Sequence, residues 1–312
     1  MPESPEILAL GEPLIEFVRL PQLDGGRPVY RQGFGGDTSN AIIAAARQGA
    51  STGYLTAVGG DPFGQELIGL WNRENVATSF VKVRDQDPTG VYFVQPHPSG
   101  RSFSYARRGS AASFYSPEDL PGKAIAAAKI LHVSALSQAI SPQMCAAVRR
   151  AAEIARKNNT LVSYDTNLRL NLWTLEDART AINDLLPLAD IVLPSDDEAE
   201  KLTGLKDPDA IADHFLQHGA RLVLLKRGAE GVLLATQQTH VTLPASLVEA
   251  VDSTGAGDSY AGAFLAYYLE TGDPEIAAKR AAIVAAGTVS GFGAVDPIPY
   301  RDAVLSGQIA TG

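Results

Sequence analysis

The sequence predicts an α/β protein with a mostly parallel central sheet, helices on both faces of it, and a small second sheet. Short apolar runs alternate with longer helical stretches along most of the chain, which is the rhythm of strands joined by crossover helices. Two regions, residues 11–33 and 89–107, break that rhythm with alternating hairpin patterns that fit no βαβ unit. The length, 312 residues, suits one large domain or a large one with a small companion.

Taken in order, Ile7–Leu10 reads as a buried strand, and residues 38–48 as an Ala-rich helix ending at Gly49, a C′ glycine. Residues 51–58 form the next strand. Residues 63–74 form a helix with Leu67, Leu70 and Trp71 on one face. Apolar strands follow at 130–133, 161–165, 191–194 and 222–226, separated by helical stretches at 142–157, 176–186, 196–203 and 207–218. Residues 248–251 alternate as a strand does, and two helices, 259–270 and about 274–290, come last. In the irregular regions, Leu14-Ile15-Glu16-Phe17-Val18 and Pro28-Val29-Tyr30-Arg31 flank a Gly-Gly turn. Val91-Tyr92-Phe93-Val94 and Ser102-Phe103-Ser104-Tyr105 flank the turn His97-Pro98-Ser99-Gly100. The two hairpins can pair into a small sheet that leans over the main domain.

Bulk properties narrow the function classes. A composition of 45% hydrophobic and 20% charged residues is that of an ordinary globular chain. The formal charge of −9 argues against nucleic acid or an anionic membrane as the main partner. The lone Cys145 can form no intramolecular disulfide and reads as a structural thiol in a helix. No apolar run approaches the length of a membrane span. The acidic, Pro-rich start, Met1-Pro2-Glu3-Ser4-Pro5-Glu6, is unlike a signal peptide, so a cytoplasmic location is expected. Among the five histidines only His214 and His218 have a ligand-like spacing; an exposed helix face accounts for them, and no zinc site is expected.

The richest stretch is Asp252-Ser253-Thr254-Gly255-Ala256-Gly257-Asp258, at the start of a helix. Small residues at 255–257 let the backbone approach a ligand closely. A helix start presents free N–H groups, and its dipole favours negative charge. Asp258 then stands at the edge of an anion hole, and a phosphoryl group in flight needs both donors and a base. An ordinary turn with an N-capping Asp has the same residues. A second stretch, Gly33-Phe34-Gly35-Gly36-Asp37-Thr38-Ser39-Asn40, runs into the Ala-rich helix. Its glycines admit a ligand, and Asp37 and Asn40 can bond hydroxyls; equally, Asp37 or Thr38 can be an N-cap. It matches neither the Walker pattern nor the dinucleotide fingerprint.

Together and in this order, the two motifs resemble the signatures of the PfkB or ribokinase family of sugar kinases, and the likeness covers nearly the whole chain. Three further stretches resemble the 2-keto-3-deoxygluconate kinases of that family. They are Tyr105-Ala106-Arg107-Arg108-Gly109-Ser110-Ala111-Ala112, Asp165-Thr166-Asn167-Leu168-Arg169-Leu170-Asn171-Leu172-Trp173, and Asp37 in the opening motif where many ribokinases carry Asn. Ala106 departs from the pattern, since many such kinases have an aromatic there.

The resemblance implies a Rossmann-like ribokinase fold: a single kinase domain over residues 1–312, with a β-sheet lid from about 11–33 and 89–110. It implies ATP and Mg²⁺, admits a monovalent cation, and makes a small-molecule sugar acid the partner and a homo-oligomer through the lid the assembly. It implies transfer of the γ-phosphoryl of ATP to the 6-hydroxyl of 2-keto-3-deoxygluconate. Asp258 would be the base, and the amides of Gly255, Ala256 and Gly257 the anion hole. Gly35, Gly36, Asp37, Asn40, Tyr92, Tyr105, Arg107 and Arg169 would meet the sugar. Asn167, Arg169, Ser195, Lys226, Gly228, Gly231, Gly255, Gly257 and Gly287 would meet the nucleotide, and Glu198 would meet the metal through water.

Chemistry supports the acid: a carboxylate suits an arginine fork, and Tyr105 and Arg107, two apart on a strand, face one side. A solvated arginine on an edge strand is the alternative for Arg107. Arg169 serves either the substrate or the ATP phosphates. Lys226-Arg227-Gly228-Ala229-Glu230-Gly231 resembles the family's hairpin at the adenine site, or is a basic turn. Ser195-Asp196-Asp197-Glu198 resembles its metal region, with Ser where the family has Asn, and also suits a helix start. The rival functions are a fructokinase or other neutral-sugar kinase, and a sugar sensor that has lost catalysis.

Overall fold

The computed structural model describes residues 4–97 and 100–307. Pro98 and Ser99, the tip of the second predicted hairpin, lie outside them. The first half of the chain runs β1 (Ile7–Leu10), β2 (Leu14–Asp24), β3 (Arg27–Gly35), α1 (Asp37–Arg47), β4 (Thr52–Gly59), α2 (Pro62–Arg73), β5 (Val76–Ala77), β6 (Val81–Arg84), β7 (Val91–His97), β8 (Gly100–Ala106), α3 (Gly122–Ala127), β9 (Ile130–Ser134), α4 (Ala135–Ala139) and α5 (Pro142–Lys157). The second runs β10 (Leu161–Asp165), α6 (Leu175–Leu185), β11 (Ile191–Val192), α7 (Asp196–Thr203), α8 (Pro208–Gln217), β12 (Leu222–Lys226), β13 (Val232–Ala235), β14 (His240–Leu243), α9 (Ala256–Thr271), α10 (Pro274–Val289) and α11 (Arg301–Leu305).

Among the described residues the main sheet has the order β14-β13-β12-β11-β10-β9-β1-β4-β5, with β6 also paired to β4. It is parallel except at one edge, where β13 and β14 pair antiparallel. Its strands read as unbroken apolar runs because both faces are covered. Alternation still sorts the side chains: Ile7 and Ala9 pack toward Ile42 of α1, Phe264 of α9 and Val284 of α10. Leu8 and Leu10 pack toward Val148 of α5 and Phe215 of α8.

The two irregular regions do pair. β2 and β3 form one hairpin and β7 and β8 another, and β2 joins β7 in parallel to give the order β3-β2-β7-β8. The fold is thus ribokinase-like: a mostly parallel α/β sheet and a second, small sheet. The small sheet has its own scant core of Leu14, Tyr92 and Val94.

Caps explain most helix starts. Asp61 accepts the Gly64 N–H at 2.8 Å ahead of α2, and Ser141 accepts the Met144 N–H at 3.0 Å ahead of α5. The two motif helices start differently from expectation. α1 has Gly36 as its N-cap, at φ 104°, a conformation that favours glycine. A Cβ there would also lie 2.4 Å from the Glu12 carbonyl oxygen. Neither Asp37 nor Thr38 is the cap; both lie inside the first turn. α9 begins at Ala256 rather than 259, with Gly255 as a left-handed N-cap at φ 76°. Asp258 is therefore a first-turn residue and not an N-cap.

The expected strand at 248–251 is not formed, for residues 244–250 run as irregular backbone. Residues 245–248 and Ala250 line an apolar cavity, and Ala250, Val251 and Asp252 line a larger one, so both sides of this segment border open space.

The joint between α1 and α9 positions the site. A Cβ on Gly262 would lie 1.8 Å from the Ala41 carbonyl oxygen, so only glycine lets the two helices approach this closely. Asn40 precedes Ala41, and Asp258 lies one turn before Gly262.

Candidate active site

A cavity of about 980 Å³ opens at the C-terminal ends of the parallel strands, between the main sheet and the small one. Ligands bind at this end of open α/β sheets because strand ends and helix starts converge there. β10 ends in Asp165 and β12 in Lys226, while α1 and α9 deliver Asp37, Asn40 and Asp258 from their first turns.

Asn40 Nδ2 donates to Asp258 Oδ2 at 2.8 Å across the α1–α9 joint. Burial, and then the nearby Asp37 carboxylate, push the Asp258 carboxyl up to about 7; the Asn40 hydrogen bond opposes this. A carboxylate poised there can take a proton at neutral pH. Asp37 is fixed in turn: its Oδ2 accepts from Asn167 Nδ2 at 2.8 Å. Asn167 lies at φ 21°, where the turn after β10 brings it back over α1.

Three cations line the same cavity. Lys226 Nζ donates to Asp165 Oδ2 at 2.7 Å. Burial alone would pull its pKa down, yet Asp165 and Glu198 hold it above the ordinary lysine value. Arg169 Nη1 meets Glu198 Oε1 at 3.0 Å and the Leu168 carbonyl at 2.9 Å. Burial, with Asp165 adding to it, raises the Glu198 carboxyl. Arg107 lies just beyond β8 and does not stand free as a solvated edge residue would. It is largely buried and paired with the fully buried Glu12, whose other oxygen accepts from Ser110 Oγ at 2.7 Å. The Arg107 guanidinium also lies 5.6 Å from the ring of Tyr105. Tyr105 stacks on Tyr92 at 5.8 Å, and Tyr92 Oη donates to Glu16 Oε1 at 2.6 Å.

A second, apolar cavity of about 340 Å³ adjoins the first. Gly228 and Gly231 form one side, residues 245–248 another, and Ala282, Ala285, Ala286 and Val289 of α10 the far wall. Such a slot suits a planar base. Arg227 is not a free cation in this turn, since Asp196 at 3.1 Å and Glu230 both take its guanidinium.

Most of the sequence-predicted residues converge: Gly36, Asp37, Asn40, Tyr92, Tyr105, Arg107, Asn167, Arg169, Ser195, Glu198, Lys226, Gly255, Gly257 and Asp258 all line the larger cavity. Three placements differ. Gly35 faces the Tyr92 ring, where a Cβ would come within 2.6 Å of Oη; it makes room for the tyrosine. Gly287 is buried in α10, and its neighbours Ala285 and Ala286 form the cavity wall. Ala256 lines only the apolar cavity, and its N–H reaches back to the Ser253 carbonyl at 3.3 Å. Ser195 is the N-cap residue of α7, but its side chain makes no capping bond. Glu12, Asp165 and the 245–250 segment were not expected as parts of the site. Asp165 carried a signal, as the last residue of an apolar strand.

Among the described residues, no three His, Cys, Asp or Glu side chains are placed to hold a metal, and no helix is long and apolar enough to cross a membrane. A magnesium ion needs no such cage when phosphates and water supply most of its ligands. One cavity carboxylate such as Glu198 fits that requirement.

The chain as a whole is similar to known proteins. The pfkB family carbohydrate kinase model matches residues 5–301, and the chain belongs to that family. It is 33% identical over 305 residues to a 2-dehydro-3-deoxygluconokinase of Thermoproteus tenax, covering 94% of this chain and 91% of that protein. It is 34% identical over 266 residues to fructokinase-2 of Solanum lycopersicum, covering 83% and 80%. A crystal structure of a protein provisionally called ribokinase II from E. coli, in complex with ATP and Mg²⁺, superposes with a TM-score of 0.89 at 25% identity, covering 97% of this chain and 98% of that one.

Proposed function

We propose that this PfkB-family sugar kinase phosphorylates 2-keto-3-deoxygluconate at its 6-hydroxyl with ATP. The observation that carries the sugar acid is the presence of two guanidiniums, Arg107 beside Tyr105 and Arg169, in the lining of the cavity that also holds Asp258. A keto-deoxy acid brings a carboxylate for a guanidinium to grip, and neutral ketoses do not.

In this reading Asp37 and Asn40 hold sugar hydroxyls, and unprotonated Asp258 accepts the proton of the 6-hydroxyl. The new oxygen–phosphorus bond forms as the bond to the bridging oxygen of ATP breaks, and ADP leaves. The Gly255–Gly257 turn directs helix-start dipoles at the charge on the transferring group. The adenine lies in the apolar slot. Glu198 would hold Mg²⁺ through water, and the ion would offset phosphate charge. The small sheet is a lid, and its exposed Leu23 and Tyr30 support association of two copies through it.

A fructokinase is the second reading. It is favoured by the existing partners of both guanidiniums, Glu12 for Arg107 and Glu198 for Arg169, and by fructokinase relatives of equal identity. A coupled assay of ADP release over a panel of sugar acids and ketoses decides. A kcat/KM for fructose above that for the keto-deoxy acid would reject the acid assignment.

A further inference from the structure

We propose that Lys226 is the cation that meets the transferring phosphoryl group, so that its place is at the chemistry and not at the adenine. This rests on reading the cavity as a phosphoryl-transfer site. Among the described residues four line both cavities, Lys226, Ala250, Ser253 and Gly257, and of these Lys226 alone is charged. The acceptor hydroxyl belongs beside Asp258 in the polar cavity, and the base belongs in the apolar one. A phosphoryl group passing between them crosses the junction where Lys226 stands.

Its ammonium is aimed at that junction. A Cβ placed on Gly257 would come within 3.4 Å of Nζ, so the charge hangs over the turn that opens α9. Asp165 holds it from behind at 2.7 Å, and Asp165 is itself fixed, its Oδ1 accepting the Asn167 N–H at 3.1 Å. Asp37, Asp165, Glu198 and Asp258 all line this cavity. A polyphosphate entering among these and Asp252, five carboxylates in all, meets repulsion unless an internal cation offsets it. Arg227, the neighbouring cation in sequence, lines neither cavity. A lysine ammonium on a four-carbon stem can turn from Asp165 to a phosphate oxygen without moving backbone. Lys226 exchanges no proton in the step; Asp258 receives the acceptor's proton, and Lys226 offsets the charge that builds on the γ-phosphoryl and bridging oxygens.

The test is Lys226→Met, with nucleotide affinity read by calorimetry in the absence of sugar. Loss of a charge-assisted contact to the terminal phosphate should weaken a non-hydrolysable ATP analogue by roughly tenfold or more, and ADP much less. The kcat on whichever sugar is accepted should fall roughly 10²–10³-fold, with the sugar KM little changed, and Lys226→Arg should restore part of both. Because Lys226→Met strands the Asp165 carboxylate, the double variant Lys226→Met/Asp165→Asn carries the same measurement if the single one does not fold. Equal weakening of ADP and the analogue, or a kcat near wild type, overturns the proposal. Should the wild type phosphorylate no sugar at all, the acceptor reading fails, but the contrast between ADP and the analogue still decides the role of Lys226.

Discussion

Asp258 and Arg107 face the same cavity, yet what holds them differs in kind. Asp258 rides on a helix pressed against α1 with no room for a methyl group at Gly262, and Asn40 grips its carboxylate across that joint. Around it lies the larger of the buried apolar clusters, which includes Tyr260, Phe264 and Ile43. Arg107 follows a strand of the small sheet, whose own buried core is Leu14, Tyr92 and Val94. Its position is set chiefly by one ion pair to Glu12 and by stacked aromatic rings. In the proposed reading, backbone packing therefore fixes the part that would do the chemistry, and side-chain partners fix the part that would select the sugar. Such an arrangement lets acceptor preference change by substitution in the lid while the base stays in register, in keeping with a family whose similar members carry different sugar names.

The contrast can be broken in several places. Asp258→Asn should leave the fold and sugar affinity intact and reduce kcat by about 10²–10⁴-fold, measured beside an isothermal titration of the sugar. Turnover near wild type would remove Asp258 from the base role. In the wild-type enzyme, kcat/KM should fall as pH drops below about 7, because protonation of Asp258 removes the base. A flat profile through neutrality would contradict that poise.

On the lid, Arg107→Ala should lower kcat/KM for the keto-deoxy acid by roughly 30-fold or more, and should do much less to activity on fructose. Glu12→Gln in the same chain keeps a buried carboxylate from being stranded. Equal losses on both sugars would make Arg107 a structural residue.

Gly262→Ala tests the floor alone. Overpacking of this kind typically costs about 1–3 kcal/mol, read as a lower Tm. It should also depress kcat on acid and ketose alike, because the shift separates Asn40 from Asp258. A loss confined to one sugar would erase the distinction between floor and lid.

The base should also carry a stability cost. A carboxyl raised in the folded state is ionised more readily in the unfolded chain, so the native state loses stability as pH rises from the ordinary aspartate range to about 7. Asp258→Asn should therefore be more stable than wild type at pH 8, by on the order of a few kcal/mol, and the difference should shrink toward pH 4. A difference independent of pH would mean that the carboxyl is not raised. The smallest effect is expected in the lid backbone, where amide exchange in β2, β3, β7 and β8 should slow when sugar and nucleotide bind. Slowing confined to the main sheet would argue against closure.

How much of this was legible in the sequence follows from where the information lies. The main strands announce themselves because both sheet faces are buried, leaving runs such as Ile7–Leu10 and Leu222–Leu225 without polar interruption. The two glycine motifs are legible because close backbone approach demands small residues at fixed spacing. The lid pairing was legible from its two alternating hairpins. Glu12 was not: its meaning depends on Arg107, distant in sequence, and nothing local marks a carboxylate that will be buried. Gly35 and Gly287 were misplaced because a glycine admits either a ligand or a neighbouring side chain, and only the fold says which. Residues 248–251 misled because alternation over four residues is too short to tell a strand from irregular backbone that borders a cavity.

The close joint between α1 and α9 also has a meaning in time. Asn40 and Asp258 stand 218 residues apart in the chain, so a ribosome has released most of the protein before the two can meet. Until α9 docks, the glycine turn after β3 is an unfinished socket, and the nascent chain has no means of splitting ATP. Loop closure over so long a separation comes late, which makes the onset of turnover during refolding a stopwatch for the last long-range contact. If turnover appears in step with far-UV dichroism, the joint forms early. If it lags, the seam between the two helices is the final one to close.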